Sequence, residues 1–179
     1  VTVFVFINQT IQNGVMDIVM PFITTESYFI VPLGVIIIGV ALLKKRQGVV
    51  IILWGAVLIT ISDQLSSSVI KPMVGRLRPC HELDIVRLLV DCGPGKSFPS
   101  SHAVNIFAAA TYFGEKFLHR RREFYAVAAM VAISRIYCGV HYPLDVLAGS
   151  LIGILVGTVV LSLDKYLGEK YWLLDTESR

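Results

Sequence analysis

The sequence predicts an all-α integral membrane protein: a bundle of five transmembrane helices, with a short sixth span as the alternative, preceded by an N-terminal amphipathic helix in the membrane interface. Three observations carry this. Of 179 residues, 55% are hydrophobic and 16% charged, where a soluble domain carries about 25% charged residues; the mean hydropathy is +0.70. Charge is absent over 28–43, 49–62, 124–134 and 146–163. Two tight basic clusters, Lys44-Lys45-Arg46 and Arg120-Arg121-Arg122, divide these runs. The length is that of one domain, 1–179. These figures exclude a disordered chain, a small disulfide scaffold and an ordinary soluble globule. A net charge of +3 without a basic surface stripe argues against a nucleic-acid partner.

Residues 1–26 come first. Val15, Ile18, Val19 and Phe22 recur at helical spacing, as in a helix lying on the bilayer surface. The first charge is Asp17, so no basic region of a secretory signal peptide is expected. Helix one is expected over 28–43. Helix two follows over 49–70 and stops where Pro72 disfavours helix at Lys71. A long loop, 72–98, contains the breaker Gly93-Pro94-Gly95. Helix three, 100–118, is capped by Ser100 or Ser101. Helix four covers 124–138. Helix five starts with Pro143 in its first turn and ends near Leu163, ahead of a polar tail, 164–179. Gly149, Gly153 and Gly157 lie four apart, a spacing that lets helices approach closely.

Short basic loops face the cytoplasm, so both basic clusters are assigned there, as is the tail. Loop 72–98, the His141 turn and, with five spans, residues 1–26 then fall on the outer side. Six cations remain on that side against the bias: Lys71, Arg76, Arg78, Arg87, Lys96 and Arg135. A cation within a helix end must face protein or a wet cavity. The topology thus delivers Lys71, Arg78, Ser100, His102, Arg135, His141 and Asp145 to one face. Three cations, two histidines and a carboxylate suggest an anion site with acid–base chemistry.

That chemistry fits phosphate. Fixed Arg and Lys donors stabilise charge spread over three equatorial oxygens without a metal. The start of helix three adds backbone N–H groups and the positive end of its dipole. Histidine can attack phosphorus. Asp145, four residues after His141, can hold one imidazole nitrogen and leave the other free. His102 can protonate the leaving oxygen and later activate water. Cys80 and Cys92 share the outer loop and can either pair or remain thiols. Cys138 reads as a small buried residue, and no Cys or His set has metal-ligand spacing.

Ten specified residues in three motifs carry a resemblance. They are Lys71-Pro-Met-Val-Gly-Arg-Leu-Arg78-Pro79, Pro99-Ser100-Ser101-His102, and Ser134-Arg135-Ile-Tyr-Cys-Gly-Val-His141-Tyr-Pro-Leu-Asp145. With these the chain resembles the type 2 phosphatidic acid phosphatases, or lipid phosphate phosphatases. Within them it is similar to the short bacterial undecaprenyl-diphosphate phosphatases and lipid A 1-phosphatases. Ser101 departs from the family's Gly. The resemblance implies that Lys71, Arg78, Arg135, Ser100 and the Ser101 backbone bind phosphate. It makes His141 the nucleophile, Asp145 its partner and His102 the general acid, with no cofactor. The implied setting is the bacterial inner membrane, with the site facing the periplasm. The implied substrate is lipid A 1-phosphate, undecaprenyl diphosphate or phosphatidylglycerophosphate. Arg76, Arg87 and Lys96 exceed the needs of one phosphate and favour a head group with a second. The competing class is a membrane transporter or channel that binds an anion in transit.

Overall fold

The structure, a computed structural model, describes residues 1–177, with side chains as far as Gly168. Every regular element among the described residues is helical. In chain order they are α1 (Thr2–Val5), a π-helical turn (Phe6–Thr10), α2 (Gly14–Thr24), a 3-10 turn (Glu26–Phe29) and α3 (Ile30–Gln64). A second π-helical turn (Leu65–Ile70), α4 (Lys71–Val74) and α5 (Pro79–Glu82) follow. A third group comprises α6 (Ser101–Lys116), a 3-10 turn (Leu118–Arg120), α7 (Arg121–Tyr137) and α8 (Pro143–Glu177).

α3 contains the first two predicted helices. Lys45 breaks it with φ 49° and ψ −127°. Gly48 lies against the Val40 carbonyl, whereas eight residues of straight helix would separate them by ~12 Å. The chain therefore reverses within the first basic cluster. Helix two does not stop before Pro72. The wide turn Leu65–Ile70, in which the Lys71 N–H reaches the Ser66 carbonyl five residues back, accommodates the proline, and one more turn carries the helix to Val74.

α8 packs along α6 through the glycines spaced four apart. A Cβ on Gly153 would fall on the Val104 carbonyl, and one on Gly149 would lie 2.7 Å from the Ser100 carbonyl. Only the bare backbone permits this approach, which sets the starts of α6 and α8 side by side. α8 also runs well past Leu163. The polar tail does not end it because Asp164, only 6% exposed, accepts a hydrogen bond from the Tyr112 hydroxyl at 2.8 Å and pairs with Lys116 at 2.5 Å.

The N-terminal segment is less peripheral than its pattern suggests. Val15, Ile18, Val19 and Phe22 are exposed, as an interfacial helix requires, but Phe4 and Asn8 are fully buried. Asn8 donates to the Arg87 and Tyr137 carbonyls, both at 2.8 Å, and accepts from the Arg87 N–H at 2.9 Å. Asp17 accepts from Arg87 at 2.7 Å and from the Tyr137 hydroxyl at 2.6 Å. Residues 1–24 are thus fastened to loop 83–90 and to the end of α7.

Candidate active site

One end of the bundle receives all three motifs. Lys71 and Arg78 arrive from α4 and the loop after it. Ser100, Ser101 and His102 open α6, Arg135 closes α7, and Asp145 lies in the first turn of α8. A hydrogen bond from the Ser100 N–H to the Asp145 carbonyl, 3.0 Å, joins the starts of α6 and α8. His141 sits in the turn between α7 and α8. The Val140 and His141 N–H groups both return to the Arg135 carbonyl, at 3.2 and 3.3 Å. Gly139 makes the turn possible: its φ is +83°, and a Cβ there would lie 2.6 Å from the Val86 side chain. Glycine alone combines that dihedral with that clearance.

His141 and Asp145 are buried, 1% and 0% exposed. His141 Nε2 faces Arg78 Nη1 at 3.5 Å, and Nδ1 faces Asp145 Oδ2 at 3.7 Å. The second distance is ionic reach rather than a hydrogen bond. The carboxylate is held elsewhere: Oδ1 accepts from Arg76 at 2.9 Å, and Oδ2 from the Tyr142 N–H at 2.8 Å. An Arg donor on the Nε2 side and a carboxylate on the other favour the tautomer with hydrogen on Nδ1 and a lone pair on Nε2.

Burial pushes the His141 imidazole down to about 4; the Asp145 carboxylate opposes this, while Arg78, Arg135 and Lys71 add to it. An imidazole ordinarily titrates near 6.5. The folded protein therefore binds fewer protons at His141 than the unfolded chain, and stability falls as pH drops from 6.5 towards 4. An NMR titration of ring-labelled histidine should find His141 neutral throughout pH 5.5–8. A midpoint near 6.5 would contradict the burial seen here.

The remaining predicted residues are placed as follows. Arg135, 8% exposed, donates from Nη1 to the Thr24 hydroxyl at 2.8 Å, and its buried Nε has no partner. Lys71 Nζ donates to the Lys96 carbonyl at 3.2 Å, and Arg78 Nε to the Gly95 carbonyl at 3.0 Å. Ser100 caps α6, its hydroxyl accepting from the Ala103 N–H at 3.4 Å. The Ser101 and His102 N–H groups lie in that first turn, where a helix offers no acceptor of its own. The Ser101 hydroxyl meets Ser66 and Ser67, at 3.0 and 3.1 Å, so the departure from Gly adds a tie to the π-helical turn that follows α3. His102 Nε2 lies 3.1 Å from Glu26.

Two of the three surplus cations are already engaged. Arg76 holds Asp145 and covers the Tyr142 ring at 4.0 Å, and Arg87 serves the Asn8–Asp17 network. Both are thereby tied into the protein's own polar contacts. Cys80 and Cys92 are disulfide-bonded, with Cα atoms 6.3 Å apart, and Cys138 is buried. Cys80, His81 and Cys92 are close enough to share an ion, but joining the two sulfurs removes their thiolates. The sequence singled out neither Thr24 nor Glu26, nor the buried, unpartnered hydroxyl of Ser97. The first two have no signal near the motifs. Ser97, two residues before Pro99, could have been considered with its motif.

The structure is thus an apolar helical bundle of the membrane-protein class, with cations, two histidines and a buried carboxylate gathered at one end. A family model for the PAP2 superfamily matches residues 52–169, and the chain belongs to that superfamily. It is 36% identical over 141 residues to lipid A 4'-phosphatase of Porphyromonas gingivalis, across 73% of this chain and 58% of that protein. The fold is similar to the crystal structure of Aquifex aeolicus LpxE: TM-score 0.68, 30% identity, 90% of this chain and 93% of that one. It is also similar to the crystal structure of a transmembrane PAP2 type phosphatidylglycerolphosphate phosphatase from Bacillus subtilis, with TM-score 0.67, 30% identity, and 92% and 86% coverage. The chain spans about half the length of the first curated relatives it matches.

Proposed function

We propose that this chain is a membrane lipid-phosphate phosphatase that works through a phosphohistidine. The observation that carries the reading is the setting of His141: buried, Nδ1 towards Asp145, Nε2 towards Arg78. Arg135 Nε lies nearby without a partner. Lys71, Arg78, Arg135 and the first N–H groups of α6 bind the phosphate. The Nε2 lone pair attacks phosphorus, and His102 gives its proton to the departing lipid oxygen. Water, deprotonated by His102, then attacks the phosphohistidine, and the P–N electrons return to Nε2. Charge stabilisation comes from the cations, so the mechanism calls for no metal ion.

The substrate class is a phosphomonoester or diphosphate of a bacterial envelope lipid. Relatives named for lipid A and for phosphatidylglycerophosphate support that class, and undecaprenyl diphosphate is the third candidate. Phosphate release by purified protein in detergent, from these three lipids side by side, tests the reading. Release should persist in EDTA and be blocked by vanadate, which adopts the five-coordinate geometry of the transition state. Failure to hydrolyse any of the three would favour an anion carrier.

The helices cross the bacterial inner membrane five times, with the site at the periplasmic face. The basic turns 44–46 and 120–122 support this orientation. An aqueous head group does not cross the ~30 Å core unaided, so the substrate pool is the outer leaflet. Cysteines placed at Lys96 and at Arg121, in a background without Cys80, Cys92 and Cys138, report sidedness. An impermeant thiol reagent on intact spheroplasts should label position 96 and spare 121; the reverse would put the site in the cytoplasm.

A further inference from the structure

The segment before α3 reaches the site at two points. Thr24, 4% exposed, takes the hydrogen bond from Arg135 Nη1. Two residues later, Glu26 Oε1 lies 3.1 Å from His102 Nε2. The Thr24 backbone also contacts the His102 ring. This is no loose strand. α2 is capped by Asn13, whose Oδ1 accepts from the Met16 N–H at 3.0 Å, and Asp17 ties it to Arg87 and Tyr137. Thr25 closes its last turn through a bond from its hydroxyl to the Pro21 carbonyl at 2.7 Å. Glu26 is therefore presented to His102 by an anchored helix end.

We infer that Glu26 is a positioning residue for the acid–base histidine, the carboxylate of a second histidine–carboxylate pair beside His141–Asp145. The inference rests on the phosphatase reading above. The other charged groups around His102 are Arg135, His141 and Lys71. Arg135 and Lys71 bind the phosphate and His141 is the nucleophile, so none of the three can accept the second ring hydrogen of a protonated His102. Glu26 can. With Nε2–H donated to Glu26, Nδ1–H is the proton left for the leaving oxygen. As the P–O bond breaks, that proton moves from Nδ1 to the lipid oxygen, which keeps the bonding pair. The Nδ1 lone pair then accepts a proton from the attacking water. Glu26 keeps its charge in both steps and fixes which nitrogen works. Its side chain is 80% exposed, so an aqueous route for proton exchange opens next to the ring. An exposed ion pair contributes little to stability; the role assigned here is orientation.

A leaving-group comparison tests this. A general acid matters for an alkoxide and hardly for a nitrophenolate. The probes are dodecyl phosphate and a 4-nitrophenyl phosphate bearing the same alkyl tail, with full-length protein in detergent. Proton transfer by a placed side chain is worth about 10²–10⁴-fold. Glu26→Gln should lower kcat on the alkyl ester about tenfold or more, and on the aryl ester only a few-fold. Glu26→Asp should recover part of the loss. In a His102→Ala background, Glu26→Gln should add no further loss. Equal losses on both esters would make Glu26 merely structural, and a gain in rate would make it a self-blocking contact; each outcome overturns the proposal. An additive loss in the His102→Ala background overturns it as well. If His102→Ala itself shows no preference for the aryl ester, the general-acid assignment fails first, which separates the two readings. Thermal unfolding of each variant in the same detergent identifies any that misfold, and Glu26→Asp then carries the test.

Discussion

His141→Ala should reduce turnover at least about 10⁴-fold, the scale seen when a nucleophile is removed from a site that acts as a unit. No other group in the cluster is left to attack phosphorus: Lys71 and Arg78 are donors, Asp145 is occupied by Arg76 and the Tyr142 N–H, and His102 is assigned to the leaving-group proton. Because His141 is buried, His141→Gln should accompany it as the better isostere, with unfolding curves for both. Wild-type protein quenched during turnover should carry acid-labile, base-stable phosphate, and neither variant should. Asp145→Asn is the informative companion. It keeps the hydrogen bond from Tyr142 but loses the charge that faces Nδ1 and Arg76, so a reduced rate, about 10²-fold down, is expected rather than none. Steady-state turnover by His141→Ala within tenfold of wild type would remove the covalent mechanism.

The cluster was legible in the sequence because charge inside an apolar chain has few places to go. Lys71, Arg78 and Arg135 stood out against the orientation bias, and helix parity alone brought His102 and His141 to one face. The glycine spacing also foretold a close helix approach, though not that α6 would be the partner. What could not be read were contacts between distant segments. Thr24 and Arg135 are 111 residues apart, and nothing in the local pattern of 1–26 distinguishes a helix docked on the end of α7 from one floating at the interface; Phe4 and Asn8 reveal the difference only by being buried. Arg76 was counted as surplus because its partner, Asp145, had been given to His141 alone. The run of α8 past Leu163 was hidden for a similar reason: Asp164 and Lys165 look like a solvated end until Tyr112 and Lys116 are set beside the carboxylate. In each case a polar residue was judged by its neighbours in sequence, when a partner across the bundle decided its role.

The other large effect is expected at Arg135, where charge and geometry can be separated. Its Nη1 is held by Thr24, its carbonyl organises the turn that carries His141, and its Nε is buried without a partner. An unsatisfied buried donor is costly, and a phosphate oxygen would satisfy it. Arg offers a planar fork to such an anion, whereas Lys offers a single point charge. Arg135→Lys keeps the charge yet loses both the Thr24 anchor and the Nε donor, so kcat/KM should fall about 10²–10³-fold, the effect of losing one preorganised donor at a developing anion. Arg135→Ala should fall further, and guanidinium ion added to that variant should restore part of the activity by occupying the vacated space. Vanadate affinity should weaken in parallel with kcat/KM in both variants, because vanadate adopts the geometry of the transition state the fork is built to hold. If Arg135→Lys stays within fivefold of wild type in kcat/KM and in vanadate affinity, the fork is dispensable. The phosphate would then have to be held by Arg78, Lys71 and the α6 N–H groups without Arg135.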